Sequence, residues 1–347
     1  MFGKKTDAAE ITEEIFGTIN GENIKKYDIK SGDIEFSVME YGATLLSLKF
    51  KGVEVTLGYD TLQEYVSGGE KFGATIGRVA NRISGGRFFL NGETYDLCRN
   101  DGNNTLDGGK KGFSGVKWQT VGKGDGAVTF AYRSADGEEG FPGELKAKVT
   151  YSAAGNGLRI EYSAESDKDT PVNLTNNVYF NLSGCVNSVE LHTLTVNAER
   201  FAPIDKNLLP TGEILSVEDT PFDFRMTKRL ADGLAETVSQ LRYAGGYAHN
   251  FVLDGTGFRE AARVYAPETG IIMVCKTDMP CIELYSGNYL PKTNIAGGKS
   301  IKRRYGLCLK TQNYPDFLNR PEFPSVILKA GEKYKSVTEY AFGSLKR

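Results

Sequence analysis

Two arginines and an asparagine lie between apolar residues in the segment 77–83, Gly-Arg-Val-Ala-Asn-Arg-Ile. Buried arginine is rare unless its guanidinium pairs with a carboxylate or holds a ligand. On a straight strand Asn81 and Arg82 point to opposite faces, so both reach one cleft only if the chain bends there. By its residue types alone, the segment fits a structural ion pair as well as it fits a ligand site.

The two histidines, His192 and His249, lie in strand-like contexts, VELHTLTV and YAHNFVL. A catalytic triad needs a nucleophile and an orienting acid around one histidine, and the local sequence supplies neither. We therefore predict structural roles for both. A metal site of three imidazoles is excluded by their number, and the five cysteines lack the Cys-x-x-Cys spacing of a zinc site. The sequence predicts neither a metal nor a cofactor.

The charges nearly cancel, because 42 Lys and Arg residues face 44 Asp and Glu residues. This balance argues against a nucleic-acid partner and against a polybasic membrane-surface protein. The N-terminal residues lack the apolar core of a signal peptide, and no stretch approaches the ~20 apolar residues of a membrane span. Scattered cysteines without a disulfide framework are typical of reduced thiols. We expect a cytoplasmic protein.

Alternation of apolar and polar residues dominates the chain, and it predicts strands with one buried face. It is clearest over 34–38, 128–132, 145–151 and 158–164. Turn residues at 155–157 and at 267–270 separate alternating runs and predict two hairpins. These features indicate an all-β protein.

Helical periodicity is sparse. The spacing of leucines and valine over 229–242 predicts one short helix, and residues 8–16 fit either a second helix or a frayed tail. There is no alternation of strands and helices and no linker between domains. We predict an N-terminal tail over 1–20 and a single domain over 21–347. Its predicted architecture is a large antiparallel β-sandwich with one or two short helices.

Seven blocks, in family order, make the chain resemble the aldose 1-epimerase (galactose mutarotase) family from about residue 20 to residue 345. They are FGATIGRVANRISGGRFFLNG (72–92), NNTLDGGKKGF (103–113), TPVNLTNNVYFNLSG (170–184), DKNLLPTGEILSVEDTPFDF (205–224), GGYAHNFVL (245–253), ELYSGNYL (283–290) and GLCLKTQNYPDFLNRPEFPS (306–325). The resemblance implies a β-sandwich of the galactose-mutarotase (supersandwich) type with a sugar cleft on its concave face. It also implies a small-molecule carbohydrate as partner, and a monomer or homodimer.

The family that the chain resembles interconverts the α and β anomers of a free hexose through the open-chain aldehyde. A carboxylate base takes the proton from the anomeric hydroxyl, and an imidazolium donates a proton to the ring oxygen. This is general acid–base catalysis, and it works best when both groups titrate near the working pH.

The polar residues that the family uses are largely replaced in this chain. By the resemblance, lysine stands at the general base and asparagine at the general acid, and three further polar positions are changed, two of them sugar contacts. Of the usual polar set, only two residues are kept. The positions implied are Lys310 (base), Asn177 (acid), Asp107 (for His), Ala248 (for Asp) and Glu283 (for Gln), with Asn81 and Arg82 retained.

These replacements weaken the usual chemistry. Asparagine cannot release a proton from its side chain, alanine has no hydrogen-bonding group, and lysine reverses the charge at the base position. Loss of one general acid or base usually costs ~10²–10⁴ in rate. We therefore expect a sugar-binding pseudoenzyme in which mutarotation of the usual kind is absent or much reduced. Phe113 and Tyr285 are aromatic residues expected to help hold the sugar.

The alternative is an active sugar isomerase, mutarotase or hydrolase with a rebuilt site of Asp107, Glu283 and Lys310. Two carboxylates in different environments can serve as acid and base. A lysine whose pKa is depressed by burial can serve as a base or a Schiff-base nucleophile. The same three residues also fit an internal ion cluster that fills a disused cleft. A sealed cleft on a protein-interaction platform is a third alternative.

Overall fold

Strands make up most of the regular structure in the computed structural model, which describes residues 9–345. The first fourteen strands are β1 (Glu10–Ile19), β2 (Glu22–Ser31), β3 (Ile34–Met39), β4 (Thr44–Phe50), β5 (Val53–Glu54), β6 (Thr75–Ile76), β7 (Arg82–Ile83), β8 (Arg87–Leu90), β9 (Glu93–Asp96), β10 (Thr105–Leu106), β11 (Gln119–Gly124), β12 (Ala127–Ser134), β13 (Leu145–Ala153) and β14 (Gly157–Ser166). The others are β15 (Thr170–Pro171), β16 (Thr175–Asn176), β17 (Thr193–Val196), β18 (Arg200–Ala202), β19 (Leu215–Ser216), β20 (Lys228–Arg229), β21 (Ala248–Val252), β22 (Arg259–Tyr265), β23 (Ile271–Thr277), β24 (Cys281–Tyr285), β25 (Thr293–Ile295), β26 (Lys299–Ile301), β27 (Cys308–Gln312), β28 (Ile327–Leu328) and β29 (Lys333–Ser344).

Helices are few and short. The α-helices are α1 (Leu62–Ser67), α2 (Leu230–Leu234) and α3 (Ser239–Ala244). Single 3-10 turns occur at Ser84–Gly86, Phe113–Gly115, Glu138–Gly140, Val189–Leu191 and Ala296–Gly298.

Three antiparallel sheets build the domain. The largest has nine strands in the order β11-β12-β13-β14-β29-β23-β22-β17-β20, and two five-stranded sheets have the orders β1-β2-β3-β4-β5 and β19-β18-β21-β24-β27. The remaining strands form two-stranded pairs. The all-β antiparallel prediction is confirmed.

Buried apolar side chains form one large core cluster between the sheets and two smaller clusters beside it. In β14 the side chains of Leu158, Ile160 and Tyr162 are buried, while the intervening residues are more exposed, as the period of two predicts. The rings of Tyr27 in β2 and Phe130 in β12 lie 6.0 Å apart and join the first five-stranded sheet to the large one. Burial of apolar side chains between the sheets, these rings among them, is the main stabilisation of a sandwich.

Both predicted hairpins are present. Strands β13 and β14 pair across the turn at 154–156, and β22 and β23 pair across the turn at 266–270. Gly155 and Gly270 have φ values of 56° and 72°, a left-handed backbone that glycine adopts without a steric penalty. The turn glycines therefore set the register of both hairpins.

The single helix predicted over 229–242 is wrong in detail, because the segment holds the two helices α2 and α3. The chain leaves helical geometry at Val238, whose φ and ψ are −97° and 150°. Gly233 and the β-branched residues before α3 lower the helix propensity of the segment. Leu230 and Leu241 are still buried, one in each helix.

The helix alternative for 8–16 is also wrong over its described part, since Glu10–Ile19 is the strand β1, which pairs with β2. Asn20 and Gly21 form the connecting turn with φ values of 51° and 82°, an Asn-Gly hairpin signal that outweighs the helical spacing. Residues 1–8 of the predicted tail lie outside the described residues. The predicted boundary between residues 20 and 21 falls inside this hairpin, so the sheet begins at Glu10.

The sequence left open whether the arginines of segment 77–83 form structural pairs or hold a ligand, and the structure gives Arg78 and Arg82 different surroundings. The guanidinium of Arg78 is buried and donates to the carbonyl oxygens of Ser134, Ala135 and Pro142 at 2.8–3.1 Å. Arg78 is thus structural, but its guanidinium is held by backbone carbonyl oxygens and not by the carboxylate of an ion pair. Arg82 instead donates from Nε to the Oδ2 of Asp101 at 2.7 Å and is only partly buried.

Candidate functional site

All seven residues singled out in the sequence line one cavity of about 320 Å³. Neighbouring strands of the second five-stranded sheet supply part of its floor, and loops next to β7, β10 and β16 supply its walls. The seven residues are Asn81, Arg82, Asp107, Asn177, Ala248, Glu283 and Lys310. They are spread along the chain from residue 81 to residue 310, and the sandwich topology brings them together.

The backbone bends where the two retained residues enter the cavity. Asn81 has a φ of 67°, in the left-handed region that asparagine tolerates better than most residues. Its Oδ1 accepts a hydrogen bond from the backbone N–H of Arg82 at 2.8 Å, and its own N–H donates to the Oδ1 of Asp107 at 2.9 Å. The bend lets both side chains line the same cavity, which a straight strand would not allow.

Glu283 and Lys310 are directly opposite each other on β24 and β27. The Nζ of Lys310 lies 3.2 Å from the Oε2 of Glu283, and their side chains are only 14% and 8% exposed. The same ammonium lies 5.8 Å from the ring centroid of Tyr285, a favourable cation–π distance. The floor of the cavity therefore contains a buried ion pair flanked by an aromatic ring.

Lys310 stays charged at neutral pH. Burial acts to lower the pKa of its ammonium, but the attraction of Glu283 and Asp107 is stronger and raises the pKa above the ordinary 10.5. The alternative of a lysine with a depressed pKa, acting as a free base or a Schiff-base nucleophile, is therefore wrong. In this cavity Lys310 is a hydrogen-bond donor and a positive charge.

Asp107 is the second carboxylate of the cavity. It follows β10 with a φ of 51°, and its carboxylate accepts the N–H of Asn81. Among the residues that the structure describes, no lysine or arginine nitrogen lies within 4.0 Å of Asp107. It nevertheless acts on the pKa of Lys310, so the two charges are near each other. Asp107 is partly exposed and can contact a ligand directly.

Asn177 presents an unpartnered acceptor. Its Nδ2 donates to the backbone carbonyls of Glu70 and Lys71 at 2.9 and 3.1 Å, which fixes the orientation of the amide. Its Oδ1 is buried and has no hydrogen-bond partner. A buried carbonyl without a partner is costly, and the penalty is removed when a donor arrives. This atom is a candidate contact for a ligand hydroxyl or amine.

Ala248 begins β21 and lines the cavity without offering any polar group. Next to it is a smaller recess of about 10 Å³, shared with Asn81, Asn250 and Glu283. The Nδ2 of Asn250 is buried there without a partner. A space of this size accommodates about one water molecule or one methyl group.

Neither histidine belongs to the cavity. His249 is buried beside the rings of Phe201 and Phe222, and its Nδ1 accepts the N–H of Ala248 at 3.1 Å. The Nε2 of His192 accepts the N–H of Leu182 at 3.0 Å. The predicted structural roles of both imidazoles agree with these contacts.

Stability is expected to fall below about pH 6, since burial lowers the pKa of His249 to about 3 and that of His192 to about 4. Above pH 6.5, the ordinary pKa, both imidazoles are neutral in the folded and in the unfolded protein. As the pH falls below 6.5, the imidazoles are protonated in the unfolded chain but stay neutral in the folded one, and this favours unfolding. At about pH 5 each imidazole should reduce the free energy of unfolding by roughly 2 kcal/mol.

Urea unfolding between about pH 8 and pH 5 measures this effect. The variant His192→Gln keeps an acceptor for Leu182 and should show a shallower pH dependence than the unchanged protein. Equal slopes for the two proteins would show that His192 takes no part in the acid sensitivity.

Sequence reasoning missed part of the cavity wall and misplaced one aromatic residue. Phe113 is buried against Trp118 and Tyr132 and lies outside the cavity, so its predicted sugar contact is wrong. Tyr285 does line the cavity, and so do Glu70, Lys71, Tyr179 and Tyr289, which were not singled out. The Gly68-Gly69 pair before Glu70 was the available signal of a loop, but nothing local showed which way it points.

Among residues 9–345, no group of three or more His, Cys, Asp or Glu side chains is arranged to hold a metal ion. Within the same range, every helix is too short to cross a membrane.

The structure is thus a large antiparallel β-sandwich with one cavity that polar and aromatic side chains line. The chain matches the aldose 1-epimerase family over residues 25–341 and belongs to that family. It is 39% identical to galactose mutarotase of Bos taurus over 342 residues, covering 96% of this chain and 98% of the relative. It is also 39% identical to aldose 1-epimerase of Escherichia coli (strain K12) over 316 residues, covering 88% and 91% of the two chains.

Solved structures show the same fold. The crystal structure of galactose 1-epimerase from Lactobacillus acidophilus matches with a TM-score of 0.89 at 28% identity, covering 98% of this chain and all of that one. An aldose epimerase homologue from C. elegans matches with a TM-score of 0.84 at 30% identity, covering 90% and 96%. The galactose-mutarotase type of sandwich is confirmed.

Proposed function

We propose that this chain is an aldose 1-epimerase that binds a free aldose in the cavity and interconverts its anomers with a rebuilt acid–base set. The support is the full-length similarity to proteins named galactose mutarotase and aldose 1-epimerase. The cavity is also open and large enough for a hexose ring, with the polar and aromatic lining that sugar sites need.

The buried ion pair of Glu283 and Lys310 carries the proposal. The resemblance implies a base carboxylate at position 310, and here the carboxylate stands directly across the strand pair, at Glu283. Adjacent strands are about 4.8 Å apart, so a carboxylate on β24 can reach the same substrate atom as a carboxylate on β27. The carboxylate is thus displaced by one strand and kept in the cavity.

The pair offers one proton acceptor and one proton donor 3.2 Å apart. Glu283 takes the proton from the anomeric hydroxyl, and the ammonium of Lys310 donates to the ring oxygen as the ring opens. Ring closure on the other face reverses both transfers. Since the raised pKa makes Lys310 a weak acid at neutral pH, the proposed reaction is slower than one driven by an imidazolium.

A second candidate is sugar binding without turnover. It is favoured by the same ion pair, because a carboxylate that is already neutralised by an ammonium is a poor base. It is also favoured by Asn177, whose amide donors are both used on backbone carbonyls and whose side chain has no proton to release. Under this candidate the cavity still holds the sugar.

Polarimetry of freshly dissolved α-D-galactose and α-D-glucose separates the two candidates. The buffer-catalysed rate is subtracted, and the exposed Lys333→Ala variant serves as a purification control. Acceleration by the protein and by Lys333→Ala, but not by Glu283→Gln, supports the epimerase. No acceleration by any of them, with sugar binding by calorimetry, overturns the epimerase in favour of the binding protein.

A further inference from the structure

We propose that the sugar taken by this cavity is an amino sugar, an aldose that carries a protonated amine. The inference rests on the proposed function, since it names the substrate class of the same site. It is carried by a carboxylate that has no cation within ion-pair distance among the described residues, and by a buried acceptor that has no hydrogen-bond partner there.

The cavity lining has as many cations as carboxylates, but Asp101, which lies outside the lining, is paired with one of the cations. Glu283 is neutralised by Lys310 at 3.2 Å, and Arg82 is committed to Asp101 at 2.7 Å. Asp107 is left, and among the described residues no lysine or arginine nitrogen lies within 4.0 Å of its carboxylate. A neutral hexose would not compensate this charge, whereas an ammonium would.

The remaining charges of the cavity do not change this balance. Glu70 and Lys71 are consecutive residues of opposite charge, so the loop that holds them adds no net charge to the wall. The full set of charged residues that line the cavity is Glu70, Lys71, Arg82, Asp107, Glu283 and Lys310. With Asp101 counted against Arg82, the sum is one negative charge.

Asn177 supplies a second, independent observation. Its side chain is about 4% exposed, and its Oδ1 is an acceptor without a partner while both amide hydrogens are held by carbonyls on the opposite side. The acceptor cannot turn away without breaking two hydrogen bonds, and a ligand donor that reached it from the cavity that Asn177 lines would satisfy it. An ammonium has three donors and no acceptor, which fits a site where acceptors are in excess.

Calorimetric binding tests the inference with defined probes: D-galactose, D-glucose, their 2-amino and 6-amino derivatives, and the N-acetylated 2-amino sugars. At about pH 6 the amines are protonated, and we expect one amino series to bind at least ~10-fold more tightly than the parent hexoses. N-acetylation removes the charge and should remove the preference. Equal affinity for all amino sugars and parent hexoses overturns the inference.

Asp107→Asn is the decisive variant, because asparagine keeps an acceptor for the N–H of Asn81 and tolerates the φ of 51°. Its affinities for the amino sugar and for the parent hexose should become equal, whatever the variant does to hexose binding itself. Asp125→Asn is the matched control, an exposed aspartate at the same φ of 51° far from the cavity. A preference that survives in Asp107→Asn overturns the inference.

The outcomes separate this inference from the proposed function. Epimerisation of neutral hexoses with no preference for amines overturns the inference alone. Tight binding of an amino sugar without any change in the rate of mutarotation supports the inference and overturns catalysis. Absence of binding to every probe overturns both.

Discussion

Replacement of the cavity lysine, Lys310→Met, is expected to lower the free energy of unfolding by about 3 kcal/mol. Glu283 is only 8% exposed and has Lys310 as its ion-pair partner at 3.2 Å, so the variant leaves a carboxylate in the cavity floor without its counter-charge. Removal of one member of a buried pair typically costs ~3–5 kcal/mol, and we take the lower end because the cavity is open to water.

The double variant Lys310→Met/Glu283→Gln should recover most of that loss, since it removes both charges and keeps the volume. Urea unfolding of the unchanged protein, both single variants and the double variant completes the cycle. Lys276→Met is the matched control, because Lys276 forms a more exposed cross-strand pair with Glu339 at 3.3 Å and should cost less than about 1 kcal/mol. Additive effects of the two cavity substitutions would show that the pair is not energetically coupled.

The activity of the same variants is a second measurement. If Glu283 and Lys310 form the acid–base pair, each single substitution should reduce the rate of mutarotation by ~10²-fold or more, and the double variant should be no worse than the poorer single one. Unchanged rates in folded variants would contradict the proposed roles. The two measurements together separate a structural ion pair from a catalytic one.

The fold was predictable from local chemistry because the period of two extends along most strands. Leu158, Ile160 and Tyr162 of β14 alternate with polar residues, and all three are buried. Where the prediction was wrong, a second local signal competed. In β1 the helical spacing of apolar residues was a weaker signal than the hairpin turn at Asn20-Gly21. Over 229–242 the apolar residues keep helical spacing although the helix is interrupted at Val238.

The seven predicted site residues were identified through the resemblance, but their arrangement in space was not. Glu283 and Lys310 are 27 residues apart, and nothing in their neighbourhoods states that their strands pair in register. The bend at Asn81 is similarly a product of tertiary contacts, since its N–H is held by Asp107 from another loop. Register and loop direction are decided by the packing of distant segments, which a single sequence does not display.

Restoration of the polar set that the resemblance implies is expected to give the largest gain in activity. The variant combines Lys310→Glu, Glu283→Gln, Asn177→His, Asp107→His and Ala248→Asp. An imidazole at position 177 can donate to the carbonyls of Glu70 or Lys71, which now accept from the Asn177 amide, and its other nitrogen then faces the cavity. Glu283→Gln and Asp107→His remove two cavity carboxylates that would repel the new carboxylate base at position 310.

We expect this variant to accelerate mutarotation of α-D-galactose by ~10²-fold or more over the unchanged protein, because it replaces a weak ammonium acid by one that titrates near neutral pH. Its rate should also become bell-shaped with pH, whereas the unchanged protein has no imidazole in its cavity. A matched variant with Lys310→Gln in place of Lys310→Glu keeps the imidazole and lacks the base, and it should lose the gain. If the five-residue variant folds and gains nothing, the substituted positions do not limit the rate, and the rebuilt pair is as effective as the set it replaced.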